Sequence, residues 1–215
     1  MRTRFEKPVL LIGGGPVERS QYEEVARFAT SVVAADGGAE VAARYELPLS
    51  AVIGDLDSVS PAVLASYSGC LLRNSDQNTT DFEKCLAVIE APLLIGIGFL
   101  AGRLDHELAA MNALARYSTQ KVVLLGARDV VFRCPARLEL ALPQNTRLSV
   151  FPMGPVKGLR SEGLDYTLDG LEMAPDGVIG TSNRTNRDKQ VIEAAEGALL
   201  VIVPRRHLPK VVAAL

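Results

Sequence analysis

Val9-Leu10-Leu11-Ile12-Gly13-Gly14-Gly15-Pro16, then a helical pattern near Val17–Ala29, then Ser31-Val32-Val33-Ala34-Ala35-Asp36-Gly37-Gly38, is the stretch that decides the fold. Each apolar run is short, carries no polar position on either face, and ends in glycines that open a helix. Strands with two apolar faces need cover on both, so strands alternating with helices predict a mostly parallel sheet sandwiched between helices, an α/β fold of Rossmann-like type. The unit recurs outward. A helix near Ala39–Tyr45 leads to Ala51-Val52-Ile53, and helices near Pro61–Tyr67 and Asp81–Glu90 enclose Cys70-Leu71-Leu72. Leu93-Leu94-Ile95-Gly96-Ile97 then enters a helix near Leu104–Tyr117, and Lys121 to Leu125 forms one more run. Ligands of such sheets bind beyond the carboxyl ends of the strands.

Past Leu125 the helical signal fades. Asp129–Cys134, Arg137–Leu142, Arg147–Phe151, Gly158–Arg160, Tyr166–Leu168, Gly177–Ile179 and Ala198–Val203 are short, turn-bounded runs, the pattern of an antiparallel sandwich or barrel. The expected organisation is therefore an α/β domain over residues 1–128 and an antiparallel sandwich or barrel over residues 129–215, with the boundary within residues 125–135.

Composition narrows the function. The 215 residues are 48% hydrophobic and 22% charged, with a formal charge of -2, which excludes disorder and a polyanion-coating protein and gives no reason to expect nucleic acid. Residues 1–120 hold 10 Lys and Arg against 15 Asp and Glu, and the remainder 13 against 10, so an acidic half precedes a basic one. Leu93 to Gly102, the longest apolar stretch, is about half a bilayer span, so no membrane segment is expected. Met1-Arg2-Thr3-Arg4 begins basic, but Val9 to Ile12 is too short for a signal-peptide core. Cys70, Cys85 and Cys134, an odd number without paired spacing, read as reduced thiols, and the expected location is cytoplasmic.

The chemistry concentrates in loops of the first half. Gly13-Gly14-Gly15-Pro16 reads either as a tight strand-to-helix turn or as bare amides facing an anion, and Asp36-Gly37-Gly38 repeats the arrangement. In Gly54-Asp55-Leu56-Asp57-Ser58 two carboxylates stand two residues apart just past a strand, where both can turn toward one hard cation such as Mg²⁺. The alternative is a turn into a helix capped by Ser60 and started by Pro61. Asp76-Gln77-Asn78-Thr79-Thr80-Asp81-Phe82-Glu83 adds carboxylates at a helix mouth, with Thr80 and Glu83 at capping-box spacing. Capping leaves Asp76, Gln77 and Asn78 to be explained, and ligand contact is one explanation. In Gly98-Phe99-Leu100-Ala101-Gly102-Arg103-Leu104-Asp105-His106, Leu104, Leu108, Met111 and Ala115 are expected to face the core. Arg103 is then free for a phosphate and Asp105 for a metal or a proton; His106 reads as a packing residue. No Ser or Cys is paired with a plausible base, so the set suits Mg-nucleotide chemistry better than nucleophilic hydrolysis.

The ordered set Ala35-Asp36-Gly37-Gly38-Ala39, Ile53-Gly54-Asp55-Leu56-Asp57-Ser58, Asp76 to Lys84 and Gly102-Arg103-Leu104-Asp105-His106, with the late Gly180-Thr181-Ser182-Asn183, closely resembles the thiamin pyrophosphokinase family over nearly the whole chain. The resemblance implies an α/β domain, a β-sandwich, a homodimer with shared active sites, and the reaction ATP + thiamine → thiamine diphosphate + AMP. It implies Asp55, Asp57 and Asp81 on Mg²⁺, and Gln77 and Thr80 on substrate or phosphates. Arg103 and Asp105 would complete the phosphate site, and Ser182 and Asn183 would reach thiamine. Asp105 or Asp81 would accept the alcohol proton. Some members of that family stack thiamine on a Trp, and this chain has none; Tyr166 is the candidate replacement, with a core or corner position as its alternative, while Phe151 reads as core. The basic residues Arg184, Arg187 and Lys189 read as a solvated loop. Asp55-Leu56-Asp57-Ser58-Val59 also fits the first motif of haloacid-dehalogenase-type phosphatases, and a non-catalytic nucleotide or thiamine sensor would use the same pocket.

Overall fold

The computed structural model describes residues 3–100 and 102–215. Ala101, within the fourth loop, and the basic start Met1-Arg2 lie outside the described residues. The chain divides into two units, residues 1–113 with 119–126, and residues 114–118 with 127–215.

The first unit runs β1 (Thr3–Arg4), β2 (Val9–Ile12), α1 (Arg19–Val25), β3 (Ser31–Ala35), α2 (Gly38–Arg44), β4 (Ala51–Gly54), α3 (Pro61–Ser66), β5 (Leu71–Arg73), α4 (Asp81–Val88), β6 (Ile89–Glu90), β7 (Leu94–Ile97), α5 (Leu104–Arg116) and β8 (Val122–Leu125). Six strands lie in the order β8-β7-β2-β3-β4-β5, all parallel. Leu10 pairs with Val32 on one side and Ile95 on the other. Every residue of β2, β4, β7 and β8 is buried, as expected for strands covered on both faces, and each fully buried Leu or Ile is worth about 1.5–3 kcal/mol. From β2 the chain steps outward through β3, β4 and β5, then returns to β7 on the opposite side. The carboxyl ends of β2 and β7 thus form a topological switch point, where a sheet of this kind leaves a crevice.

Three expectations are corrected here. The helix read to Glu90 stops at Val88, because Ile89 and Glu90 pair in parallel with Thr3 and Arg4 as β6 and β1. Leu104 and Leu108 are exposed, and the buried face of α5 carries Ala110, Ala113 and Leu114 instead. Ser60 does not cap α3 through its side chain. Its backbone N–H donates to Glu40 at 2.6 Å, so the carboxylate of α2 takes up the orphan donor.

The second unit holds β9 (Asp129–Arg133), β10 (Arg137–Leu140), β11 (Arg147–Pro152), β12 (Lys157–Glu162), β13 (Gly180–Arg184), β14 (Gln190–Glu196), β15 (Leu199–Pro204) and α6 (Leu208–Ala214). Its strands make two antiparallel layers, β13-β11-β15-β9 and β10-β14-β12. Tyr166–Leu168 and Gly177–Ile179, read as strands, are not; the Gly180-Thr181-Ser182-Asn183 motif is itself a strand, with a bulge against β11. Phe151 is half-buried on β11, at the rim of the core where the sequence had placed it inside.

The three cysteines are free, and burial pushes the Cys134 thiol up to about 12, which leaves it inert. His207 is buried just before α6, and among the described residues its Nε2 has no hydrogen-bond partner. Burial, with the charges of Arg206 and Lys210 adding, holds its pKa below the ordinary value. The unfolded chain therefore binds the proton first, and stability falls as pH drops below about 6.5 toward the lower folded value. His207→Leu is expected to remove that loss, seen as a smaller difference between urea midpoints at about pH 7.5 and about pH 5.5.

Candidate active site

An open cavity of about 610 Å³ lies at the switch point of the first unit, lined by Gly13 to Pro16, Asp36, Gly37, Thr80, Asp81, Phe99 and Arg103 among others. Its floor depends on two glycines. A Cβ at Gly13 would stand 2.7 Å from the Gly98 carbonyl oxygen, and one at Gly98, whose φ is +77°, 2.7 Å from that of Gly13. The Gly13 and Gly15 amides donate to Ile97 and Gly98 carbonyls at 2.8 and 3.1 Å. Those two N–H groups stitch β2 to β7 and are spent, so the glycine run is chiefly a close-packed turn.

Asp36 is 2% exposed and its φ is +42°, a region that costs a non-glycine residue about 1 kcal/mol or more. Its N–H donates to Ile53, and its Oδ1 accepts from the Leu56 amide at 2.8 Å. Leu56 is held at φ +68° with its side chain in the cluster of Ala34, Ala39, Val52 and Val59. The pinned backbone lifts Asp55 and Asp57 on either side of it, and oxygens of Asp36, Asp55 and Asp57 come within 4.8 Å of one another. Three hard carboxylate oxygens suit Mg²⁺ or a similar cation. The sequence reading had placed Asp36 among ligand contacts and Asp81 among metal ligands; Asp81 lies outside this triad but is tied to it.

The tie is Lys84, one turn along α4, whose side chain is only 3% exposed. Its Nζ donates to Asp81 Oδ1 at 2.9 Å and to Asp55 Oδ2 at 3.3 Å. Gln77 Nε2 donates to the same Asp55 oxygen at 3.3 Å. Burial pushes the Asp55 carboxyl up, but Lys84, the Asp57 amide and Gln77 outweigh it and hold it below its ordinary value. For Asp81 burial prevails over Lys84 and the group titrates above the usual carboxylate range, the charges of Asp36 and Asp55 adding.

The other residues of this loop build it. Asp76 accepts from the Asn78 amide at 3.0 Å and the Thr79 hydroxyl at 2.8 Å, so Asp76 and Asn78 are consumed in turns. Thr80 and Glu83 form the expected capping box, and Phe82 packs on Phe99 with ring centroids 4.6 Å apart. Arg103 and Asp105 are exposed and paired with each other, Nη2 to Oδ2 at 2.6 Å and Nε to Oδ1 at 3.1 Å. His106, read as a packing residue, is instead exposed and lines the cavity. Gly38 stands behind the lining, against the end of β2.

In the second unit Ser182 is exposed at φ +59°, its N–H donating to Ser149 Oγ at 3.0 Å. Asn183 is 4% exposed and spent: Oδ1 accepts from the Tyr166 amide at 3.1 Å, and Nδ2 donates to the Tyr166 carbonyl at 2.7 Å. Tyr166 itself is 71% exposed, not a core residue. Arg184 pairs with Asp165 and Lys189 with Glu139.

A parallel α/β sheet with a switch-point cavity and converging carboxylates defines the class as an α/β group-transfer enzyme. The chain belongs to the thiamin pyrophosphokinase family. The model of its catalytic domain matches residues 22–125, and that of its vitamin B1 binding domain residues 137–199. Thiamine pyrophosphokinase 3 of Oryza sativa subsp. japonica is 29% identical over 78% of this chain and 70% of its own length. Thiamine pyrophosphokinase 2 of Arabidopsis thaliana is 30% identical over 73% and 66%. Across the plant relatives the matched part is 56% to 70% of their length. The thiamin pyrophosphokinase structure from Candida albicans shares the fold with a TM-score of 0.79 at 18% identity, over 93% of this chain and 89% of that one. The one from Geobacillus thermodenitrificans gives 0.75 at 19%, over 92% and 97%. The family assignment does not favour the phosphatase and sensor readings.

Proposed function

We propose that the chain transfers the β,γ-diphosphoryl group of ATP to the hydroxyethyl oxygen of thiamine, giving thiamine diphosphate and AMP. One observation carries this reading: both domains of the family are matched in one chain, and the catalytic one holds three carboxylates beside its switch-point cavity. Residues 1–128 would bind ATP, and residues 129–215 would bind thiamine and form the dimer contact. Asp55, Asp57 and Asp81 are the metal ligands proposed, with Asp36 adjoining the first two and Asp81 tied to Asp55 through Lys84. A Mg²⁺ ion bound there would neutralise phosphate charge and so ease attack on the β-phosphorus and the departure of AMP. Gln77 orients Asp55. Arg103, an exposed guanidinium at the rim, exchanges Asp105 for a phosphate oxygen. Gly37 lets the nucleotide approach the backbone, Gly38, read with it as a ligand contact, stands behind the lining and packs α2 on β2 instead, and Thr80 offers a hydroxyl at the mouth of α4. Asp81, facing the cavity, is better placed than the Arg103-bound Asp105 to accept the alcohol proton. Ser182 contacts thiamine, and Asn183 acts by fixing the backbone of Tyr166. The free cysteines support a cytoplasmic location, and the family resemblance supports a homodimer.

The test is AMP release from ATP with and without thiamine, with the product identified by mass. AMP formation that requires both substrates and Mg²⁺ is expected. Phosphate release without AMP, or AMP release indifferent to thiamine, would overturn the assignment.

A further inference from the structure

We propose that Lys84 is a built-in cation of this site: it competes with the divalent metal for Asp55 and thereby sets the metal affinity. The inference rests on the reading of Asp55 and Asp57 as metal ligands. Lys84 is 3% exposed, and a charge so buried persists only where it is paired. Both of its partners are carboxylates of the site, Asp81 at 2.9 Å and Asp55 at 3.3 Å. Asp55 is also a member of the triad whose oxygens lie within 4.8 Å.

The contested atom is Asp55 Oδ2. It already accepts from Lys84 and from Gln77 Nε2, so its lone pairs are taken by donors. Among the described residues, Asp55 Oδ1 carries only the long contact from the Asp57 amide at 3.4 Å. A cation drawing on Asp55 therefore either uses Oδ1 alone or displaces the ammonium from Oδ2. In both cases a divalent ion would have to share the Asp55 carboxylate with the buried ammonium or take it from that ammonium, and the repulsion would weaken metal binding. The same ammonium keeps Asp55 and Asp81 from repelling each other when no metal is bound. A site of this design is assembled before the metal arrives and releases it readily.

The test measures metal alone, on the full chain without nucleotide: Mn²⁺ by the EPR signal of the free ion, and Mg²⁺ by calorimetry. Wild type is compared with Lys84→Met, which keeps the stem and removes the charge, Lys84→Gln, which keeps a donor toward Asp81, and Lys84→Arg. Met and Gln are expected to bind on the order of tenfold tighter, whereas Arg stays near wild type. In EDTA the Met and Gln variants are expected to melt several degrees below wild type and to regain most of the difference with Mg²⁺, while wild type responds little. Unchanged or weaker metal affinity in both neutral variants would overturn the proposal, as would failure of both to fold even in saturating Mg²⁺. In that event, loss of Mn²⁺ binding in Asp55→Asn would leave the metal-site reading standing. A wild-type chain that binds neither ion overturns that reading and the competition with it.

Discussion

Asp57→Asn is expected to lower turnover by about 10²–10³-fold at saturating Mg²⁺ and to leave the fold intact. Asp57 is exposed, and its side chain makes one short contact, accepting from the Ser58 hydroxyl at 2.9 Å. An amide can keep that contact. What it loses is a unit of negative charge beside Asp36 and Asp55, and metal charge matters most where phosphate charge builds up in the transition state. Relief of repulsion among the three carboxylates would make the variant as stable as wild type or slightly more so. Initial rates of AMP release, with a thermal melt in EDTA, check both halves; turnover within a few-fold of wild type would remove Asp57 from the metal site.

Gly38→Ala should cost about 3 kcal/mol or more, enough to leave a marginal protein partly unfolded. In an ordinary helix the change would be favourable by about 1 kcal/mol, since alanine is the better helix former. Here a Cβ would lie 2.0 Å from the Ile12 carbonyl oxygen and 2.8 Å from its carbon. Both are backbone atoms of a central strand, so nothing flexible can give way. Gly69→Ala, where no atom of the described residues lies within 4 Å, is the control and should be close to neutral. Urea denaturation of the two variants makes the comparison. A Gly38 variant as stable as wild type would mean that α2 can slide away from β2.

Much of the first unit was legible because its strands announce themselves. Val9 to Ile12, Ala51 to Ile53 and Val122 to Leu125 are apolar on both faces, and each loop that follows is polar and rich in glycine. The carboxylates were legible for the same reason: an Asp just past a buried strand has few purely structural uses. What stayed hidden depends on distance in the folded chain. Nothing local says that Lys84 reaches back to Asp55, or that the Asp36 carboxylate turns toward the Asp55 loop by binding the Leu56 amide. Local signals also misled. Asp76 and Asn78 look like ligand contacts but satisfy their own loop, and Asn183 looks like a ligand residue but is buried as a clamp on Tyr166. In the second unit Gln190–Glu196 is a strand although its Glu-Ala-Ala-Glu tail favours helix, because pairing with both β10 and β12 overrides propensity.

The return of the chain from β5 to β7 also governs the order in which the molecule can be made. Leu10 meets Val32 early in synthesis but waits for Ile95 to close its other side, so the cavity is a late, long-loop event in folding. A nascent chain that has emerged only to Glu90 already carries Asp36, Asp55, Asp57 and Lys84 yet lacks the wall supplied by Gly98, Phe99 and Arg103. During translation the acidic loops are thus present for some time before there is a pocket for a nucleotide to enter.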